Sequence, residues 1–212
     1  AFRSLPPFRR GALALCALAL VVNALLGDQP VAARLVLGPA FPAEPWQPLT
    51  ALLIYPGRLD GLLSTVLVQW ILGSAVEKTW GAARYLLLVL GSAFAGYLLT
   101  ALLGLALPAL LAAPLAAPAP ADLAAIAAFG VLFARQPLRF FGALDLSGRG
   151  LALLLGAVTL LAPLLRGAPW PTALPGLVAL LLALLVVARP WRPRPRSGKL
   201  TPPRPRHLRV VH

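Results

Sequence analysis

Residues 59–106 read LDGLLSTVLVQWILGSAVEKTWGAARYLLLVLGSAFAGYLLTALLGLA. Two apolar runs, 59–76 and 85–106, are divided by Glu77-Lys78-Thr79-Trp80-Gly81-Ala82-Ala83-Arg84, which holds every charge of the stretch except Asp60. Each run is near the roughly 20 apolar residues that cross a hydrocarbon layer about 30 Å thick. The pattern predicts two membrane helices joined by a short charged hinge.

Outward from this pair, further apolar runs lie at about 11–27, 121–134, 150–165 and 172–188. The predicted fold is an all-α membrane protein, a bundle of six spans, with residues 1–10 as a short N-terminus, 11–189 as one membrane domain and 190–212 as a basic Arg/Pro tail. Composition agrees: charged residues make up 12% of the chain and the mean hydropathy is +0.84. Soluble domains carry about 25% charged residues. A net charge of +13 in a soluble protein would suggest nucleic acid, but here the basic residues fall between the apolar runs and at the ends, so no nucleic-acid partner is expected.

The positions of those basic residues set an expected direction, because cytoplasmic loops carry the Lys/Arg excess. With both termini cytoplasmic, only Arg34, Arg58 and Arg166 of the 19 basic residues fall outside. The partner is then the lipid bilayer, and the expected location a bacterial-type cytoplasmic (inner) membrane. The first run also has the features of a signal sequence, with Arg9 and Arg10 before it and Val31-Ala32-Ala33 after it, and both readings stay open. Segment 28–55 holds Pro30, Pro39, Pro42, Pro45 and Pro48 with Trp46, and reads as a proline-rich external loop at the interface. Pro108, Pro114, Pro118 and Pro120 make 108–120 a second broken segment, after which Asp122 opens a short helix. Cys16 is alone, so no intramolecular disulfide is expected.

Trp46, followed by Glu77, Trp80, Gly81 and Arg84 in the spacing Glu-x-x-Trp-Gly-x-x-Arg, resembles the rhomboid family of intramembrane serine proteases. The similarity extends through Phe129-Gly130 and Pro175-Gly176, over roughly 46–188, and implies a six-helix rhomboid-like bundle. On physical grounds, Glu77 and Arg84 flank a Trp-Gly turn where they would pair or cap helix ends.

The family's chemistry requires a serine nucleophile at the start of the fourth core helix and a histidine base in the sixth. Matching the family pattern puts Ala125 near the serine position and Leu174 near the histidine position. Gly61 and Thr65 fall near the positions of the family's second-helix His and Asn. The only histidines are His207 and His212, and the fourth run has no Ser, Thr or Cys. The chain is therefore expected not to be an enzyme but an inactive rhomboid-like pseudoprotease that binds transmembrane helices of client proteins, with no cofactor and no metal. Two alternatives remain: a divergent serine protease using Ser64, Ser74 or Ser92, and a channel or transporter, for which the spans lack an obvious intramembrane charge. Asp60 and Asp122 are the possible polar residues of an outward cavity, or else helix ends in contact with water.

Overall fold

A computed structural model describes residues 7–27, 29–55, 59–140 and 144–188. Asp28, Arg58 and the basic tail with both histidines lie outside the described residues. The helices in chain order are α1 (Arg10–Leu26), α2 (Ala32–Leu35), α3 (Gln47–Thr50), α4 (Leu59–Val68), α5 (Ser74–Trp80), α6 (Ala82–Ala106), α7 (Ala119–Leu132), α8 (Gly148–Leu165) and α9 (Leu174–Ala188). A π-helical turn, Gln69–Gly73, joins α4 to α5, and short 3-10 turns occupy Pro108–Leu111 and Trp170–Ala173.

Among the described residues, three helices are long and apolar enough to cross a membrane: Ala82–Ala106, Gly148–Leu165 and Trp170–Ala188, the last counted with its preceding 3-10 turn. Arg10–Leu26 and Ala119–Leu132 are apolar but shorter. Leu87, Leu153, Leu154, Leu161 and Leu165 are exposed on the outside of the bundle. An apolar exterior over a helical bundle is the surface of a protein dissolved in lipid. This is an integral membrane protein.

The shortest of the main helices holds the centre. α7 packs against α9, α8, α6 and α4, and every residue from Pro120 to Phe129 is buried. Alanines at 121, 124, 125, 127 and 128 let the neighbours approach on all sides, because small side chains bring helix backbones close where lipid provides no hydrophobic drive to associate. At 14 residues it rises only about 21 Å. Its two ends are met by other protein segments. The stretch 113–117 packs near its start, with Leu115 bridging to Leu37 and the Ala117 amide donating to the Tyr97 hydroxyl at 2.7 Å.

Two loops expected from the sequence are more ordered than loops. Segment 29–55 folds into α2, α3 and turns, and buries Val36, Leu37, Ala51, Leu52 and Ile54 in the core. Gln47 and Thr50 satisfy its interior backbone: Gly38 N donates to Gln47 Oε1 at 3.2 Å, and Thr50 Oγ1 donates to Leu35 O at 2.6 Å. The polar connection before α8 forms an antiparallel hairpin, β1 (Pro137–Phe140) with β2 (Leu144–Ser147), in an otherwise helical fold. Ladder pairing satisfies backbone groups that a polar loop would leave to solvent.

Gly81 sits between α5 and α6 at φ 82° and ψ 159°. Only glycine adopts that region readily. A Cβ there would meet nothing within 4 Å, so Gly81→Ala tests the backbone alone. The expected loss of stability is about 1–3 kcal/mol, read from equilibrium unfolding in mixed micelles; a change under about 0.5 kcal/mol, the usual range for a neutral surface change, rejects this account of the hinge.

Candidate functional site

Gly61, Thr65 and Gln69 recur every fourth residue and therefore share one face of the second helix. That face meets the first turn of α7. Thr65 Oγ1 donates to Asp122 Oδ2 at 2.7 Å, and Gln69 Nε2 donates to Asp122 Oδ1 at 2.7 Å. The Tyr85 hydroxyl of α6 donates in turn to Gln69 Oε1. The chain Tyr85–Gln69–Asp122–Thr65 thus links α6, the π turn, α7 and α4. π turns inside helices often occur at functional sites. Here the turn carries Gln69 and ends at the side-chain-free Gly73, where a Cβ would lie 2.5 Å from the Tyr85 hydroxyl oxygen.

Asp122 is 3% exposed. Among the described residues its side-chain hydrogen bonds come from neutral groups, Thr65 and Gln69. A buried carboxylate needs such donors, since an unpaired one would cost several kcal/mol. Thr65→Val removes one donor at unchanged shape, and should cost about 1–3 kcal/mol through the oxygen left unsatisfied, measured as a shift of the unfolding midpoint.

Asp122 also lines a cavity of about 580 Å³. α4 contributes Gly61 and Ser64, α8 contributes Val158, Thr159, Ala162 and Pro163, and Ala173, Pro175 and Gly176 close the side toward α9. Tyr97 and the 113–117 stretch form another wall. α4 and α8 both pack on α7 without forming a packed pair with each other, so the cavity occupies the gap between them. The lining is mostly apolar, with Asp122 and Arg166 as its charged members among the described residues. That combination of a concave apolar wall and few polar groups is the usual character of a binding site.

At the opposite end of the bundle, Glu77 is 6% exposed and accepts from the backbone of α1, from Gly11 N to Oε1 at 3.0 Å and from Ala12 N to Oε2 at 2.9 Å. Arg84 is exposed. Of the two roles expected for Glu77, pairing with Arg84 or capping a helix end, the structure has the second: the carboxylate is taken up by the free N–H groups at the start of α1, which a helix N-terminus offers to an anion at close range. Ser74 reinforces the junction by accepting from Arg9 N at 3.2 Å.

The sequence-derived positions separate accordingly. Gly61, Thr65 and Asp122 come together at the cavity, and Leu174 lies beside it between the lining residues Ala173 and Pro175. Ala125 is fully buried one turn deeper in α7 and is not part of the lining. Asp60 lies in α4, one residue before Gly61. Glu77, Trp80, Gly81 and Arg84 cluster at the α5–α6 hinge, while Trp46 precedes α3 and its indole N–H donates to Arg34 O at 3.1 Å. Of the alternative nucleophiles, Ser64 reaches the cavity, whereas Ser74 and Ser92 are buried outside its lining. Sequence reading missed Gln69 and Tyr85 as parts of the site. The signal was the four-residue spacing from Thr65 to Gln69 inside an apolar run. Among the described residues no three of His, Cys, Asp and Glu converge as a metal site would require.

A helical membrane bundle with a polar centre on a short buried helix, α7, is the class defined by this geometry. A family model for the rhomboid domain matches residues 42–190, and the chain belongs to the rhomboid family. A search of curated proteins returned no match.

Proposed function

We propose that this rhomboid protein is catalytically inactive and holds transmembrane segments of other membrane proteins in the cavity between α4 and α8. The reading includes six spans, both termini in the cytoplasm and residence in a bacterial-type inner membrane, so that the cavity opens outward. The observation that carries it is the make-up of the cavity. Thr65, near the position of the family's second-helix Asn, donates to Asp122, and Gly61, near that of its His, lines the same cavity. Asp122, rather than Ala125, then takes the place opposite them where the family keeps its serine. No histidine precedes position 207, and the α9 side of the cavity presents Ala173, Pro175 and Gly176. Ser64 lines the cavity with no histidine there to take its proton.

A photo-crosslinker at Ser64, in the full chain within native membranes, should yield adducts with membrane proteins that one at the exposed Leu87 of α6 does not. Fluorophosphonate probes should leave the protein unlabelled. Labelling abolished by Ser64→Ala would replace this reading with a divergent protease, and equal adducts at both positions would remove client docking. A reporter fused after residue 190 should register as cytoplasmic.

Asp122 also supports a second reading as a cation or proton path, because ionisable groups buried within a membrane mark such paths. The chain from Asp122 ends at the buried Tyr85 hydroxyl. Flux across proteoliposomes lost in Asp122→Asn would establish that reading.

A further inference from the structure

Resting on the docking reading above, we infer that the transmembrane segments accepted by the cavity are those carrying a single Lys or Arg, which seats against Asp122. The cavity wall is apolar, as suits a helix, yet a carboxylate stands at its α7 side with its hydrogen bonds supplied by the neutral side chains of Thr65 and Gln69. Each carboxylate oxygen receives one of these bonds and keeps lone-pair capacity for another donor. Asp122 itself lines the cavity, so a segment seated there lies against it.

A basic residue within a membrane helix has the complementary deficit. In lipid, charged side chains pair with one another or with backbone carbonyls, because an isolated one is costly. Bringing a lysine ammonium or arginine guanidinium to Asp122 relieves both groups in a region of low dielectric, where the pair interacts more strongly than in water. An uncharged segment gains only packing there, and an acidic one is repelled. Arg166 also lines the cavity, at the C-terminal end of α8, and Asp122 offers one carboxylate, enough for one basic residue.

The test uses the full chain in lipid nanodiscs and three synthetic Leu/Ala transmembrane peptides, identical except for Lys, Leu or Glu at one site one-third of the way from an end. Binding is followed by fluorescence transfer and by crosslinking from Ser64. The Lys peptide should bind about tenfold or more tightly than the Leu peptide, the scale of one desolvated charge pair. The Glu peptide should bind more weakly than either. In Asp122→Asn, which keeps the shape and one oxygen of the side chain, the ratio of Lys-peptide to Leu-peptide affinity should fall to about one, whatever the change in binding of the Leu peptide itself. Equal binding of the Lys and Leu peptides to the unaltered protein overturns the inference and leaves the docking reading standing. Failure of all three peptides to bind overturns both. A Lys advantage present only in nanodiscs without ethanolamine lipids assigns Asp122 to the lipid ammonium group and likewise overturns the inference.

Discussion

Glu77→Ala is expected to lower the unfolding free energy by about 3 kcal/mol or more, since hydrogen bonds to a charged group contribute about 1.5–3 kcal/mol each. The carboxylate accepts from the Gly11 and Ala12 amides at 3.0 and 2.9 Å. Both belong to the first turn of α1, whose amides have no partner within their own helix. The methyl group of alanine replaces neither bond, and buried N–H groups without a partner are costly. Glu77→Gln retains one acceptor oxygen and turns an amide N–H₂ toward the second donor, so about half the loss is expected. Equilibrium unfolding in mixed micelles reads the difference. The same variants should raise the rate at which a cysteine placed in α1 reacts with a lipid-soluble maleimide, because the helix loses its anchor to α5. If both variants unfold at the native midpoint, the cap contributes nothing and α1 is held by packing alone.

Gly96→Leu should be the most disruptive single change in the core, costing about 3 kcal/mol or more, toward the upper end of overpacking effects. A Cβ at Gly96 of α6 would press on the Pro175 carbonyl oxygen at the start of α9, closer than real contacts allow. Backbone cannot rotate away as a side-chain tip can. α6 and α9 must separate, and α9 carries the cavity-lining residues Pro175 and Gly176. Gly96→Ala already places the clashing atom and should show a smaller loss in the same direction. Gly91, on the same helix with nothing within 4 Å of its added Cβ, is the control: Gly91→Ala should be neutral or slightly stabilising. Unfolding midpoints of the three variants check the order. A Gly96→Leu protein as stable as Gly91→Ala would exclude the close crossing.

Much of the bundle was legible before any coordinates, because the bilayer imposes a simple rule on composition. An apolar run with charge only at its ends becomes a helix wherever backbone groups must bond within their own segment. The six apolar runs accordingly appear as α1, α4 with its π turn and α5, α6, α7, α8 and α9, with ends displaced by a few residues. The Trp80-Gly81 hinge was legible too, since a glycine between two apolar runs signals a turn. Segment 29–55 was not: its prolines read as interruption, while its burial depends on Leu37 meeting Leu115, 78 positions away. No local rule predicts that contact. The hairpin at 137–147 was missed for a similar reason, since two four-residue strands gain their stability from each other and from α8.

The site divides along the same line. By itself, the sequence determined membrane embedding, the helical class, the hinge that carries Glu77, Trp80, Gly81 and Arg84, and the absence of any histidine before position 207. These follow from composition and from residues near one another in the chain. Only the tertiary structure decided the partner of Glu77, which is the start of α1, and the α7 residue that bonds to Thr65, which is Asp122. Both depend on how far one helix is rotated and shifted against another. A shift of three residues, about 4.5 Å along the axis, separates Ala125 from Asp122, and hydropathy cannot resolve it in a helix buried on every side.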